Sequence, residues 1–384
     1  MKFIPFSLFL LMIFSLLSFS CTKKSADTIV IGNYGSLTGS EATFGLSTRD
    51  GIQLAIDEFN SAGGLNGKKL ELKVYDNQGK PEEARLSVEK LINVDKVVAL
   101  LGEVASTRSL AAAPVAQQYK VPMITPSSTN PEVTKKGNFI FRTCFIDPFQ
   151  GQVMAKFAVN SLKLKRGAIL RDNKSDYSMG LADYFTKTLT ELGGTVIADE
   201  KYASGDSDFK AQLTSLREKH PDFIFIPGYY TEVGLIARQA RELGISSMLL
   251  GGDGWDSPKL IEIGGTALDG SYFSNHYTAE DKRPEVQEFI TKFKNKYNVA
   301  PDGLAAAGYD AAQILLAAMK RAKSLEGDDL RLAIAATTNH PGVTGMITIN
   351  SERDAVKSAV VLRVSTAGSA TGGGEFKFVE SVHP

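Results

Sequence analysis

The chain has 384 residues, enough for two domains of about 100–200 residues each, and with 43% hydrophobic and 22% charged residues it falls among ordinary globular proteins rather than disordered, collagenous or multi-span membrane chains. Lys+Arg and Asp+Glu both number 43, so there is no net field to hold a polyanion and nucleic acid is not an expected partner. Two Cys are too few for a disulfide framework, and four His leave little for a His-rich metal site.

At the N-terminus, Lys2 precedes an uncharged stretch from Phe3 to Phe19, followed by Ser20, Cys21 and the basic pair Lys23 and Lys24. Seventeen residues fall short of the roughly 20 that a spanning helix needs, and a small residue just before a Cys resembles a lipoprotein cleavage site. Residues 1–20 are therefore expected to be a signal peptide, Cys21 the lipidated first residue of the mature chain, and 21–27 a tether. Ser18 stands where such sites favour Leu, so an uncleaved anchor and plain secretion are the other readings. With Cys21 lipidated, Cys144 is left as a lone thiol.

From Thr28 onward strands and helices alternate. Ile29-Val30-Ile31 reads as a strand ending at Gly32-Asn33-Tyr34-Gly35, and the amphipathic run from about Arg49 to Asn60 reads as a helix with Ile52, Leu54, Ala55, Ile56 and Phe59 apolar. Ala62-Gly63-Gly64-Leu65-Asn66-Gly67 stops it, and Leu70-Glu71-Leu72-Lys73-Val74 has the two-residue period of a strand. Pro81-Glu82-Glu83 opens the next helix, because Pro pre-sets φ and the acids face the positive end of the dipole. Val97 to Leu101 is a continuous apolar run, as in a central parallel strand covered on both faces. A helix over Leu110 to Tyr119 and a strand over Val121 to Thr125 follow.

A second series begins after Arg166, with strands at 168–170, 195–198, 223–226 and 248–250 and helices at about 178–192, 209–219 and 231–243. The third strands of the two series start 125 residues apart, at Val97 and Asp222, and the fourth 126 apart, at Val121 and Ser247. Two equivalent α/β units thus lie in tandem, each a parallel sheet with right-handed crossovers. Beyond them helices are expected at about 284–297, 304–322 and 328–336, and strands near 345–349 and 359–364. The Gly-rich piece from Ala367 to Gly374 reads as a hairpin turn before Phe376-Lys377-Phe378, and not as a phosphate loop, since no helix follows it.

Ligands of open parallel sheets bind beyond the carboxyl ends of the strands, and those ends are polar here. Ser106 and Thr107 follow the third strand where a helix begins, offering first-turn N–H groups and hydroxyls to a carboxylate; a plain helix cap is the simpler role. Thr125-Pro126-Ser127-Ser128-Thr129-Asn130 follows the fourth strand and could equally be an ordinary turn. In the second unit Asp172 and Tyr177 follow the first strand, Gly228-Tyr229-Tyr230 the third, and Gly251-Gly252-Asp253-Gly254 the fourth. Asp253 is either a turn residue or a carboxylate selecting a cation in a closing cleft. Hydroxyls and amides on one unit, with an acid and aromatic rings on the other, complement a zwitterion with an apolar tail.

These segments also carry a resemblance. Gly35-Ser36-Leu37-Thr38-Gly39 with Phe44-Gly45, Asn60 to Lys68, Val121 to Thr129, Phe141-Arg142-Thr143, Asp176-Tyr177-Ser178-Met179-Gly180, Gly228-Tyr229 and Gly251-Gly252-Asp253-Gly254 occur in the order and spacing of a known family. From about Asp27 to its end the chain resembles the leucine/isoleucine/valine-type periplasmic solute-binding proteins of ABC importers, with the type I periplasmic-binding fold. The resemblance implies an α/β fold of two doubly wound parallel-sheet lobes joined by three hinge crossovers, with the ligand in the interlobe cleft. Lobe 1 would comprise 28–144 plus 276–347 and lobe 2 145–275 plus 348–384, with hinges near Thr143 to Asp147, Asn275 to Tyr277 and Thr348 to Ser351.

By motif, Ser106 and Thr129 would hold the ligand carboxylate; the Ser127 carbonyl, Thr129 and Asp253 its ammonium; and Phe44, Tyr177 and Tyr229 its side chain. The family usually has Glu where Asp253 stands, which moves the carboxylate by about 1.5 Å. Ala105 lies near where a disulfide partner of well-known members would be. Both departures bear on which solute is bound, amides, urea and aromatic acids being the alternatives, as is a ligand-sensing receptor for a signalling partner. The implied protein is a monomeric, membrane-anchored extracytoplasmic lipoprotein that hands a branched-chain amino acid to an ABC permease and ATPase, with no cofactor or metal. Catalysis is not expected: P-loop, HExxH and GxSxG motifs are missing, His220 and His340 precede prolines, His383 is penultimate, and only His276 lies near a hinge.

Overall fold

The computed structural model describes residues 28–366 and 373–384. The expected signal peptide at 1–20, Cys21 and most of the expected Ala367–Gly374 turn lie outside the described residues. Strands β1 (Ile29–Gly35), β2 (Leu70–Asp76), β3 (Leu100–Leu101), β4 (Met123–Thr125) and β5 (Ile140–Arg142) form a parallel sheet in the order β2-β1-β3-β4-β5. Its crossovers contain helices α1 (Ala42–Ser61), α2 (Pro81–Asn93) and α3 (Ser106–Gln118). Pro81, Glu82 and Glu83 occupy the first turn of α2, as its opening residues predict. Helices α1 and α3 start earlier than their apolar periodicity indicates, at Ala42 and Ser106. Both extra turns face the cleft, where burial of Phe44, Ser106 and Arg108 replaces a simple apolar stripe.

After β5 the chain enters the second sheet through α4 (Asp147–Lys156). It continues with β6 (Arg166–Asp172), α5 (Asp176–Glu191), β7 (Thr195–Tyr202), α6 (Lys210–Lys219), β8 (Phe223–Ile226), α7 (Tyr230–Glu242), β9 (Met248–Gly251), α8 (Pro258–Gly264) and β10 (Tyr272–Asn275). It then returns to the first sheet with α9 (Pro284–Tyr297), α10 (Gly303–Arg321) and α11 (Gly327–Ala335). Strands β11 (His340–Gly342), β12 (Gly345–Ile349) and β13 (Ala355–Val356) form a small antiparallel sheet. Finally β14 (Ala359–Ser365) and β15 (Glu375–Val382) complete a seven-stranded sheet in the order β15-β14-β10-β9-β8-β6-β7. Val364 of β14 lies opposite Phe376 of β15, an antiparallel hairpin at the end of an otherwise parallel sheet.

The first sheet is covered on both faces. Ile52, Ile56, Ala311, Leu315 and Ile334 of α1, α10 and α11 pack on one, and Val88, Leu91, Ala112 and Ala116 of α2 and α3 pack on the other. A larger cluster fills the second unit, built from Leu181, Phe185, Phe223, Phe225, Val233, Leu249 and Phe273. Phe44, Val104, Ala105 and Leu304, which come from the first unit, belong to that same cluster. Gly51 and Gly308 bring α1 and α10 together: a Cβ on Gly51 would meet the Ala305 carbonyl oxygen at 2.0 Å, and one on Gly308 the Thr48 carbonyl oxygen at 2.5 Å. That approach carries Phe44 and Leu304 side by side into the cleft.

The chain passes between the two units three times: between Arg142 and Asp147, after Asn275, and between Val356 and Ala359. The third crossing falls later than Thr348 to Ser351, because Ile347, Ile349 and Ala355 all pack in the first unit's core and Ala359 is the first residue back in the second's. Arg142, fully buried, ties two crossings together, donating to the Ser128 and Asn130 carbonyls at 2.6 and 2.9 Å and pairing with Asp354 at 2.5 Å.

Candidate functional site

On the first unit the site is a rigid turn beyond β4. The Thr125 hydroxyl donates to the Glu103 carbonyl at 2.6 Å and accepts the Ser128 N–H at 2.9 Å, while Arg142 holds the carbonyls on the other side. Ser127 and Thr129 are thereby held in the cleft, 4% and 0% exposed. Ser106 opens α3, and its Oγ accepts the Asn130 N–H at 3.2 Å, joining the two segments. Among the described residues the Thr129 hydroxyl has no full hydrogen-bond partner although it is wholly buried.

The second unit supplies an acid and rings. Asp253, just beyond β9, accepts the Gln150 side-chain amide at 2.7 Å and the Ser127 hydroxyl, across the cleft, at 3.3 Å; His276 Nε2 lies 3.0 Å from the same carboxylate. Burial lowers the His276 pKa more than Asp253 raises it, so the ring is neutral and the contact is a hydrogen bond rather than an ion pair. Tyr177 and Tyr229 stack, with ring centroids 5.3 Å apart and planes 7° from parallel, and Phe44 meets Tyr229 edge-on at 5.3 Å. The Tyr177 hydroxyl accepts the Gly254 N–H at 3.2 Å. Gly254 must be small, since a Cβ there would stand 2.7 Å from the Gly228 carbonyl oxygen and 2.9 Å from the Tyr229 ring.

Phe44, Ser127, Tyr177, Tyr229 and Asp253 line one small cavity, together with Val104, Gly254 and Leu304. It encloses roughly 230 Å³ of unfilled space, and the Ser127–Asp253 hydrogen bond spans the cleft beside it, so the lobes are closed on one another. Ser106 and Thr129 are not among the residues that line it in this closed form. A larger surface depression of about 320 Å³ between Ser207 and Glu242 is edged by exposed charged side chains and has no aromatic wall.

Three residues that join this site were not singled out for it from sequence. Gln150 and Asp147 sit on α4, which the apolar spacing does not reveal because the helix is buried nearly all round; Pro148 in its first turn was the available signal. Asp147 is 0% exposed, and among the described residues neither of its carboxylate oxygens makes a full hydrogen bond, with the Thr129 hydroxyl beside it. Burial pushes its carboxyl up to about 8. The third, His276, had been noted only for its place near a hinge.

Behind the aromatic wall lies a buried ion network. Arg108 donates to Glu103 at 3.0 Å and to the Gly79 carbonyl at 3.2 Å, and also pairs with Glu41. Burial works against its charge, yet Glu103 and Glu41 hold its pKa above the ordinary value. Cys144 is a free, buried thiol, pushed up to about 12 by burial. Among the described residues no group of three or more His, Cys, Asp or Glu is placed to hold a metal ion, and no helix is long and apolar enough to cross a membrane.

Two parallel-sheet units, crossed three times by the chain and closed over a pocket with acid, hydroxyl and aromatic walls, define a two-lobed solute-binding protein of the type I periplasmic-binding fold. The chain belongs to the periplasmic binding protein family, whose model matches residues 28–369. It is 32% identical over 342 residues to a Leu/Ile/Val-binding protein of Rhizobium johnstonii, covering 88% of this chain and 92% of that one. Among solved structures, a leucine-binding protein of Thermotoga maritima is 41% identical with a TM-score of 0.87, covering 93% of this chain and 99% of that chain. A branched-chain amino acid transporter substrate-binding protein of Streptococcus pneumoniae, in complex with isoleucine, is 33% identical with a TM-score of 0.84, covering 92% and 99%.

Proposed function

We propose that this protein captures a branched-chain aliphatic amino acid between its lobes and delivers it to an ABC permease with its ATPase. The observation that carries this reading is Asp253, a buried carboxylate with three neutral hydrogen-bonding neighbours and, among the described residues, no cation paired to it, beside an aromatic wall. An α-ammonium supplies the missing charge, Ser106 and Thr129 meet the carboxylate, and Phe44, Tyr177, Tyr229 and Leu304 enclose an apolar side chain. The relatives named for leucine, isoleucine and valine support the same choice. Such a protein binds and releases and is not an enzyme.

The moving bodies are then 28–144 with 276–356 and 145–275 with 359–384, hinged at the three crossings. Capture takes place outside the cytoplasm, with the monomeric chain tethered through a lipid on Cys21. Cys21→Ala should release the protein from membranes; a variant that stays bound would remove the lipoprotein assignment.

Thermal unfolding of the chain from Thr22 onward, scanned against the twenty amino acids, small amides, urea and aromatic acids, tests the ligand. A solute at a hundred times its Kd adds about 2.7 kcal/mol, a shift of several degrees. Shifts confined to leucine, isoleucine and valine are expected. Shifts with amides or aromatic acids alone would overturn the substrate, and no shift with any of them would point to a partner-dependent sensor.

A further inference from the structure

Asp147 opens α4 in the wall of the cleft with both carboxylate oxygens buried and unpartnered. Its own N–H donates to the Thr129 carbonyl at 3.0 Å, which fixes the two residues side by side. The Thr129 hydroxyl lies beside the carboxyl and lowers its pKa as a hydrogen-bonding neighbour, but no full hydrogen bond joins them, and among the described residues that hydroxyl has no other partner. An orphaned buried acid and an orphaned buried hydroxyl together are costly, so the pair must take on further hydrogen bonds when the site is in use.

The groups around Asp147 decide how. Arg142 on β5 is the nearby cation, but its guanidinium is committed to Asp354 and to two carbonyls. Asp253 beyond β9 is a like charge, Tyr177 on α5 is a neutral phenol, and His276, held against Asp253, is a neutral imidazole. From α5 the nearest approach is backbone, at Gly180. Two adjacent buried carboxylates cannot both stay ionised cheaply, and Asp253 is the one already supplied with donors.

We propose that Asp147 is a positioning residue of the ligand site: it enters the closed cleft as the neutral acid, donates its proton to the Thr129 oxygen, and so turns the Thr129 hydroxyl hydrogen toward the ligand carboxylate. This rests on the amino-acid reading above and adds the direction of one hydrogen bond to it. An ionised Asp147 would instead accept from Thr129 and leave that oxygen as an acceptor only, repelling a carboxylate. Burial pushes the carboxyl up to about 8 and Asp253 adds to the rise, while Thr129 and Arg142 oppose it, consistent with a neutral acid at pH 7.

Calorimetric titration with L-leucine between pH 5.5 and 8.5, where leucine stays zwitterionic, tests this on wild type, Asp147→Asn and Asp147→Ala. Wild-type affinity should fall by up to about fourfold across the range, the limit set by a carboxyl titrating at about 8. Asp147→Asn, with a permanent donor in place, should match wild type within about threefold at pH 6 and show no slope, and Asp147→Ala should bind about tenfold or more weakly throughout. A wild-type slope retained in Asp147→Asn, or an Asn variant as weak as the Ala variant, overturns the role of Asp147. Wild type that does not bind leucine counts against the amino-acid reading instead; the titration is then made with the solute that shifted thermal unfolding, and equal slopes there, or a solute lacking a carboxylate, overturn the role of Asp147.

Discussion

Two clusters of buried charge flank the cleft, and they differ in how their polar atoms are satisfied. Around Arg108, Glu103 accepts from Arg108, Ser36, Asn77 and the Ala105 N–H, and Glu41 pairs with the same guanidinium. Around Asp253, the Thr129 hydroxyl, both Asp147 oxygens, Gln150 Oε1 and His276 Nδ1 are buried without partners. The first cluster is closed upon itself and holds the loops beyond β1, β2 and β3 together. The second is incomplete, and unsatisfied polar atoms gathered beside an acid in the cleft are ones that a ligand's own donors and acceptors can answer.

That contrast can be broken from either side. The largest effect is expected at Arg108: Arg108→Met leaves Glu41 and Glu103 buried without their cation, and should cost about 3–5 kcal/mol of stability, read by urea unfolding. A loss under 1 kcal/mol would show that the network does not hold the lobe. Asp253→Ala should spare the fold but weaken amino-acid binding by about 2–5 kcal/mol, because the ammonium is then buried unpaired; calorimetry showing wild-type affinity would remove Asp253 from the site.

Asp147→Asn should act on stability with the opposite sign. An acid whose pKa is raised in the folded state takes up a proton on folding, so wild type loses stability as pH climbs from about 4 towards about 8 and levels off beyond. The Asn variant should gain on it by at most about 1.4 kcal/mol per pH unit in that window, seen as a Tm difference that grows with pH. A pH-independent difference would mean that Asp147 is ionised throughout. The smallest effect is expected at Tyr177→Phe, which removes the acceptor of the Gly254 N–H while keeping the stacked ring, at about 1 kcal/mol of affinity or stability. A larger loss would show that the hydroxyl itself meets the ligand.

The alternation of strands and helices was legible along the chain, with Phe223–Ile226 a strand, Leu100–Leu101 at the end of the Val97–Leu101 run lying in the sheet, and Pro81 opening its helix. Elements whose identity depends on distant partners were not. Strand β5 is three residues long and is a strand only because it pairs with β4, and β10 exists between β9 and β14. Helix α4 has no amphipathic stripe to detect, since it is buried on most sides, and so Asp147 and Gln150 went unseen with it. Phe44, Tyr177, Tyr229, Ser127 and Asp253 could be nominated from strand ends and motif order, which are relations along the chain; the structure brings these five to one cavity, whose lining does not include Ser106 or Thr129.

The sequence by itself determined the tandem α/β pattern, the family and the kinds of side chain offered at the strand ends, because periodicity, turn chemistry and motif spacing are relations between neighbours along the chain. Only the tertiary structure decided which acids are answered. In sequence, Asp147 beside Pro148 and Asp253 between glycines are both turn-like acids. In the fold Asp253 receives hydrogen bonds from elements more than a hundred residues away, while Asp147 has only the Thr129 hydroxyl beside it among the described residues, because burial and partnership are fixed by how the lobes close.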